Sequence, residues 1–219
     1  MAAWPNIVAT LAWLAHIDFV HFTGLSGEEA GTIVGEEEID EVRESLERFI
    51  GQPMGPGAEA PEEVNIPMIR HWVDALDDQN PVYLDEAAAG QTRFAGVVAP
   101  PAMLQTWTMP RPIIEGIAER GGNPSKATSE NVVSALDKAG YVGTLATNSE
   151  LEFERYLKPG DRLHLTNELE SISNRKRTGL GLGYFVTWIT TYLDADDEVV
   201  GRQLFRIFKF DPATMGGAS

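Results

Sequence analysis

The 219-residue chain is 43% hydrophobic, which is enough to bury one sizeable core and favours a single main domain. Its 33 acidic residues against 17 basic ones give a formal net charge of −16, which argues against a general affinity for nucleic acid or an anionic membrane surface. With no Cys, disulfides, thiolate zinc sites and a Cys nucleophile are excluded. The four His residues, at 16, 21, 71 and 164, show no metal-ligand spacing, so no metal site is expected.

Ile7 to Phe22 is largely apolar, but it is short for a bilayer and is interrupted by His16, Asp18 and His21. No Lys or Arg precedes Arg43, as a signal peptide would require, so the reading is a cytoplasmic protein without a membrane span. Residues 1–34 are read as an N-terminal extension, either upstream of the true domain or a helix that packs on it or on a partner. Residues 35–212 form the domain and 213–219 a tail.

From Glu36 to Ile50 the apolar positions Ile39, Val42, Leu46, Phe49 and Ile50 predict an amphipathic helix stopped by Gly51 and Pro53. An exposed connector follows from Gln52 to Asn65. Pro67 then suits the first turn of a second helix with Ile69, Trp72, Val73 and Leu76 on one face. That helix delivers the chain to Asp77-Asp-Gln-Asn-Pro-Val-Tyr-Leu-Asp85, whose last residue is a candidate N-cap for Glu86 to Ala89. Pro100 and Pro101 fit a helix start, giving a buried helix from about Pro101 to Trp107 whose length Pro110 and Pro112 limit. A polar connection from Gly121 leads to a short helix around Val132 to Leu136.

Beyond Tyr141 the period becomes alternating, through Leu151, Phe153 and Arg155, then Leu163, Leu165 and Leu169, then the runs Tyr184–Tyr192 and Val199–Phe210. Lys158-Pro-Gly-Asp161 and Asp194 to Glu198 are the turns between them. Helices followed by such a meander predict an α+β fold.

The segment Asp78-x-Asn80-Pro81-x-Tyr83 is similar to the Asp-x-Asn-Pro-x-His loop of the MaoC-like (R)-specific enoyl-CoA hydratases. Further motifs follow in the order of that superfamily's FAS1-like dehydratase domains: Gly96-Val-Val-Ala-Pro-Pro101, Glu150-Leu-Glu-Phe153, Lys158-Pro-Gly-Asp161, Arg175-Lys-Arg-Thr-Gly179 and the Asp194–Val200 hairpin. The resemblance runs over roughly residues 37–211. It implies a hot-dog fold, an antiparallel sheet wrapped around a central helix. Pro67-Met-Ile-Arg-His-Trp72, Val98-Ala-Pro-Pro-Ala-Met-Leu104 and Gly201-Arg-Gln-Leu-Phe-Arg-Ile207 more closely resemble the non-catalytic MaoC-like subunit of heteromeric enoyl-CoA hydratases of steroid side-chain degradation.

Hydration of an α,β-unsaturated thioester needs a base for the water, an acid for Cα and donors for the enolate oxygen. The resemblance implies that an Asp and a His handle the protons and that a backbone N–H at the central helix start binds the thioester oxygen. Here Tyr83 stands at the His position, and a phenol with a reference pKa of about 10 is a poor base at neutral pH. Asp78 reads either as a residual acid/base or as a turn residue capping local N–H groups, and the missing His favours the second. Asn80 shapes the loop or touches substrate. His71 and His164 lack an acidic motif to orient them as substitute bases.

Pro100 and Pro101 remove two N–H donors, so Pro100, Pro101 and Ala102 suit the lining of a substrate cavity better than an oxyanion role. Arg175, Lys176 and Arg177, followed by Gly179, Gly181 and Gly183, are either a docking edge for CoA phosphates or an edge-protecting loop. The expectation is a substrate-accommodating subunit of a hydratase for a bulky acyl-CoA, with no cofactor beyond the CoA of the substrate. A second MaoC-like chain would supply Asp and His, and a thiolase, aldolase or OB-like protein is a further candidate partner. The rival expectations are a self-sufficient homodimeric hydratase using Asp78 and an acyl-CoA binding module without turnover.

Overall fold

The computed structural model describes residues 40–118 and 130–215, together with two short strands, β1 (Ala9–Thr10) and β2 (Thr32–Ile33). Apart from those two pairs, the N-terminal extension and the polar connection at 119–129 lie outside the described residues. Helix α1 (Glu41–Leu46) begins where the Asp40 carboxylate accepts the Arg43 N–H at 3.0 Å, and it tightens into a 3-10 turn at Glu47–Phe49. Of the helix expected over Glu36–Ile50, residues 36–39 lie outside the described residues, Asp40 is the cap, the last turn is 3-10, and Gly51, at φ 72°, stops it as expected.

Helix α2 (Ile66–Leu76) follows β3 (Ala58–Glu59) and forms as its sequence indicates. Asn65 caps it by accepting the Met68 N–H at 3.0 Å, Pro67 sits in the first turn, and Ile69 and Val73 are buried. It ends at Asp77 in the left-handed region, φ 52°. Two short helices, α3 (Pro81–Leu84) and α4 (Glu86–Gly90), come next. Asp85 caps α4 through bonds from the Ala87 and Ala88 N–H groups. The helix predicted at Pro101–Trp107 is a 3-10 turn, Pro101–Met103, leading into α5 (Leu104–Trp107). Helix α6 (Val132–Lys138) has a reciprocal cap between Asn131 and Ser134.

The strands β4 (Gly143–Phe153), β5 (His164–Ile172), β6 (Lys176–Thr178), β7 (Gly181–Leu193) and β8 (Val199–Asp211) complete one antiparallel sheet. Its order is β1-β4-β8-β7-β5-β3, with β6 on β7 beyond β5 and β2 on β6. The β7–β8 pair, in register from Leu182↔Asp211 to Leu193↔Val199, is its spine. Period two sends Tyr184, Val186, Trp188, Thr190 and Tyr192 to the face that carries the helices.

Two apolar clusters cover that face. One joins Ile69, Val73, Tyr83, Met103, Leu104 and Trp107 to Leu151, Leu163 and Tyr192; the other joins Leu46, Val132 and Leu136 to Leu169, Tyr184, Val186 and Ile207. The central helix lies close on the sheet. A Cβ at Gly201 would stand 2.7 Å from Leu104 Cδ2 and 2.6 Å from the Glu152 carbonyl oxygen.

Three features depart from the sequence reading. The connector Gln52–Asn65 contributes β3, paired to β5 as Ala58↔Leu165 and Glu59↔His164. Lys176–Thr178 is a strand, and Gly181 and Gly183 lie inside β7, where their missing side chains admit the β8 end rather than loosen a loop. The start of the expected tail packs on the sheet: Pro212–Thr214 forms a 3-10 turn, and Thr214 Oγ1 accepts the Leu182 N–H at 2.7 Å.

Candidate functional site

The residues singled out in the sequence divide between the two clusters. Asp78, Asn80 and Tyr83 gather with Pro100, Pro101 and Ala102 around the first, because the Val98 N–H reaches the Val82 carbonyl and the Ala99 N–H the Leu157 carbonyl. Within the loop, Asp78 Oδ1 accepts the Asn80 N–H at 3.0 Å, and Asn80 Oδ1 accepts the Val82 N–H at 3.2 Å as the cap of α3. These Asx bonds give both side chains a turn-building role. Tyr83 is buried, and its phenol is pushed up to about 12 by burial and by the fields of Tyr156 and the Asp78 carboxylate. It therefore stays protonated throughout the neutral range and cannot act there as a base.

At the central helix start, Pro100 is buried with φ −51° and ψ 131°, and its carbonyl accepts the Met103 N–H at 2.9 Å. Pro101 and Ala102 are half-buried. Since neither proline has an N–H, this helix start offers fewer backbone donors to an oxyanion than an ordinary one.

At its other end the helix stops early. Thr108 closes α5, and Met109 and Pro110 follow without helical continuation. Beyond it a cavity of about 190 Å³ opens on the sheet, lined by Gln105, Thr108, Met109 and Pro110 on the helix side and by Leu165, Asn167, Trp188, Thr190, Tyr192, Gln203 and Phe205 on the sheet side. Trp188 and Phe205 form an aromatic wall with ring centroids 5.1 Å apart.

Its floor is a hydrogen-bonded network. Tyr192 Oη donates to Gln203 Oε1 at 2.7 Å, Gln203 Nε2 donates to Ser149 Oγ at 2.9 Å and to Gln105 Oε1 at 3.2 Å, and Thr190 Oγ1 donates to Asn167 Oδ1 at 2.6 Å. Burial holds the Tyr192 phenol well above its ordinary range. None of these groups was a candidate site residue in the sequence reading, where Tyr192 and Gln203 entered only within a strand run and a motif. The one available signal was a Thr at 190 in an otherwise apolar inward series on β7.

The basic segment lies elsewhere. Arg175 bonds to Tyr141 and stands in the field of Asp40 and Tyr184, where Tyr184 Oη reaches both Asp40 oxygens at 2.7 and 2.9 Å. Its guanidinium is thus engaged within the second cluster. Lys176 is half-buried on β6 and Arg177 exposed there. His71 is exposed on α2, and His164 Nε2 lies 3.1 Å from Asp197 at the sheet's end. Among the described residues there is no group of three His, Cys, Asp or Glu able to hold a metal ion, and no helix is long and apolar enough to cross a membrane.

Comparison with known proteins gives this arrangement a family. The model of the FAS1-like dehydratase domain region matches residues 48–203, more than half of the chain. A probable enoyl-CoA hydratase alpha subunit of Thermomonospora curvata is 41% identical over 174 residues, covering 79% of this chain and 53% of that protein. The 3-oxo-4,17-pregnadiene-20-carboxyl-CoA hydratase alpha subunit of Mycobacterium tuberculosis is 40% identical over 154 residues, covering 70% of this chain and 47% of that protein. The chain thus spans about half the length of the curated relatives it matches.

Among solved structures, a chain of the ChsH1-ChsH2 complex from Mycobacterium tuberculosis superposes with a TM-score of 0.66 at 34% identity, covering 80% of this chain and 99% of that one. A MaoC-like dehydratase shares the fold at a TM-score of 0.52 and 22% identity, covering 77% of this chain and 44% of that one. The antiparallel sheet packed on a short central helix is accordingly the hot-dog fold, and the chain belongs to the MaoC-like, FAS1-like dehydratase family.

Proposed function

We propose that this chain is the substrate-accommodating subunit of a heteromeric (R)-type enoyl-CoA hydratase or dehydratase. It would act on a bulky acyl-CoA such as a steroid side-chain thioester, with the Asp/His pair supplied by a second MaoC-like chain. The observation that carries the reading is the pairing of an open, aromatic-walled cavity with a loop that holds a protonated phenol where the family has its His. The cavity lies where the proline-ended helix leaves the sheet uncovered, and Tyr83 stays protonated where the family has a His. The names of the two curated relatives, both alpha subunits of CoA-thioester hydratases, and the two-component structural relative support it.

In this reading Asp78 and Asn80 build the loop rather than react. Pro100, Pro101 and Ala102, expected from the sequence to line the cavity, stand at the opposite end of the helix and are not among its lining residues; in this reading they flank the thioester, whose oxygen is bound by donors of the partner. Lys176 and Arg177 remain candidates for the CoA phosphates. CoA enters as part of the substrate, and the reading calls for no other cofactor; a cytoplasmic location accords with it. The reading is tested by following addition of water to a four-carbon and to a tetracyclic enoyl-CoA by mass, with the chain alone and with a MaoC-like partner carrying Asp and His. Turnover of the tetracyclic substrate is expected only in the mixture. Turnover by the chain alone would make it a catalyst in its own right.

A further inference from the structure

With no Cys in the chain, methionine thioethers are its only sulfur, and the fold treats them unequally. Met103, at the start of the central helix, is 0% exposed and packs in the first apolar cluster. Met68, Met109 and Met215 are exposed. Among the described residues, Met109 alone of the methionines lines the cavity, one residue beyond the Thr108 that closes α5. Its N–H donates to the Thr106 carbonyl at 3.4 Å and Pro110 follows it, so the backbone holds it where the helix ends. The side chain is 52% exposed and meets solvent and cavity at once. As a thioether it is a weak acceptor and an adaptable apolar border to the opening.

We propose that Met109 is an oxidation site through which a peroxide lowers the chain's capacity for large acyl groups. The inference rests on the reading that the cavity takes the acyl bulk. A lone pair of the sulfur attacks one oxygen of hydrogen peroxide as the O–O bond breaks. That oxygen stays on the sulfur as a sulfoxide and the other leaves as water, so the sulfur loses two electrons and the peroxide gains them. A sulfoxide reductase reverses the step, two thiols going to a disulfide while the oxygen departs as water. The oxidised side chain carries a strong acceptor where there was none. A ring system passing it must strip that oxygen of water or leave it against apolar carbon, a cost the thioether does not impose. Where the oxygen instead meets the Asn167 Nδ2 hydrogens, which no described residue accepts, it bridges the cavity from its helix side to its sheet side. Both arrangements obstruct a fused-ring group, and a four-carbon group ends short of them.

The test treats the full chain with hydrogen peroxide, removes the oxidant and combines the chain with an untreated MaoC-like partner. Peptide mass mapping is expected to show a gain of one oxygen at Met109 and none at the buried Met103. Treatment is expected to lower kcat/KM by about tenfold for a tetracyclic enoyl-CoA and by less than about twofold for a four-carbon one. A sulfoxide reductase with a dithiol is expected to restore the loss. In Met109→Leu, which has no sulfur to oxidise, treated and untreated chains are expected to agree within about twofold on the tetracyclic substrate. Met109→Gln, with an amide carbonyl in place of the sulfoxide oxygen, is expected to show the loss without peroxide. A loss that persists in Met109→Leu, an equal loss on both substrates, or oxidation of Met109 without loss would overturn the inference and leave the functional reading standing. Failure of the untreated complex to turn over the tetracyclic thioester would overturn both.

Discussion

Gln105→Trp is expected to lower kcat/KM for a tetracyclic enoyl-CoA by about 100-fold, some 2.7 kcal/mol of transition-state binding, while changing a four-carbon enoyl-CoA by less than about threefold. Gln105 is exposed on α5 and borders the cavity, so an indole can enter the open space without displacing core atoms. The same change withdraws one acceptor from Gln203 Nε2, which retains Ser149 Oγ, so the floor of the cavity keeps its shape. A short acyl group would end before the obstruction, whereas a fused-ring system would have to cross it. Kinetics of the complex on the two substrates check the split. An equal loss on both would place the acyl bulk somewhere other than this cavity.

Gly183→Val is expected to destabilise the fold by at least about 3 kcal/mol, lowering the unfolding midpoint by roughly 10 °C. A Cβ at 183 would sit 2.1 Å from the Lys209 carbonyl oxygen and 2.8 Å from the Phe210 Cα. Those are backbone atoms of the paired strand and can yield only by opening the β7–β8 ladder. Strain would also reach Lys209, a buried cation whose Nζ is held by Asp137 at 2.6 Å and Thr144 at 2.8 Å. Gly90→Ala, with nothing within 4 Å of its Cβ, serves as the control and should shift the midpoint by less than about 2 °C. Thermal unfolding followed by circular dichroism measures both.

The contrast between these two glycines also marks what could be read before the structure. Helix α2 was legible because a first-turn proline and a 3.6-residue apolar stripe agree over one continuous segment. The meander was legible because β7 and β8 alternate over long runs bounded by Asp and Gly turns. Gly181 and Gly183 read as a flexible loop because the atoms that exclude their side chains come from residues 209–215, on a different part of the chain. Strand β3 escaped because two residues carry no period, and its pairing depends on Leu165 and His164.

The site divided in the same way. Asp78, Asn80 and Tyr83 stood out as a motif, and their turn bonds are local, so the sequence already pointed to their geometry. The polar row Asn167-Thr190-Gln203 is spread over three strands and exists only in their mutual register, to which no single segment is a guide. The basic triplet read equally as a phosphate edge or as an edge-protecting loop; the fold places Arg175 against Tyr141, Asp40 and Tyr184, a set of contacts spread over distant segments.

The central claim is that this chain shapes the substrate site while its partner moves the protons, and it bears most directly on Asp78. Asp78→Asn preserves the oxygen that accepts the Asn80 N–H and removes only the carboxylate. The measurement is kcat of the two-chain complex on a tetracyclic enoyl-CoA with the Asp78→Asn chain in place of the original. The account predicts a value within about threefold of the unaltered complex, and a fall of a thousandfold or more would show that Asp78 is itself a catalytic acid/base and contradict it.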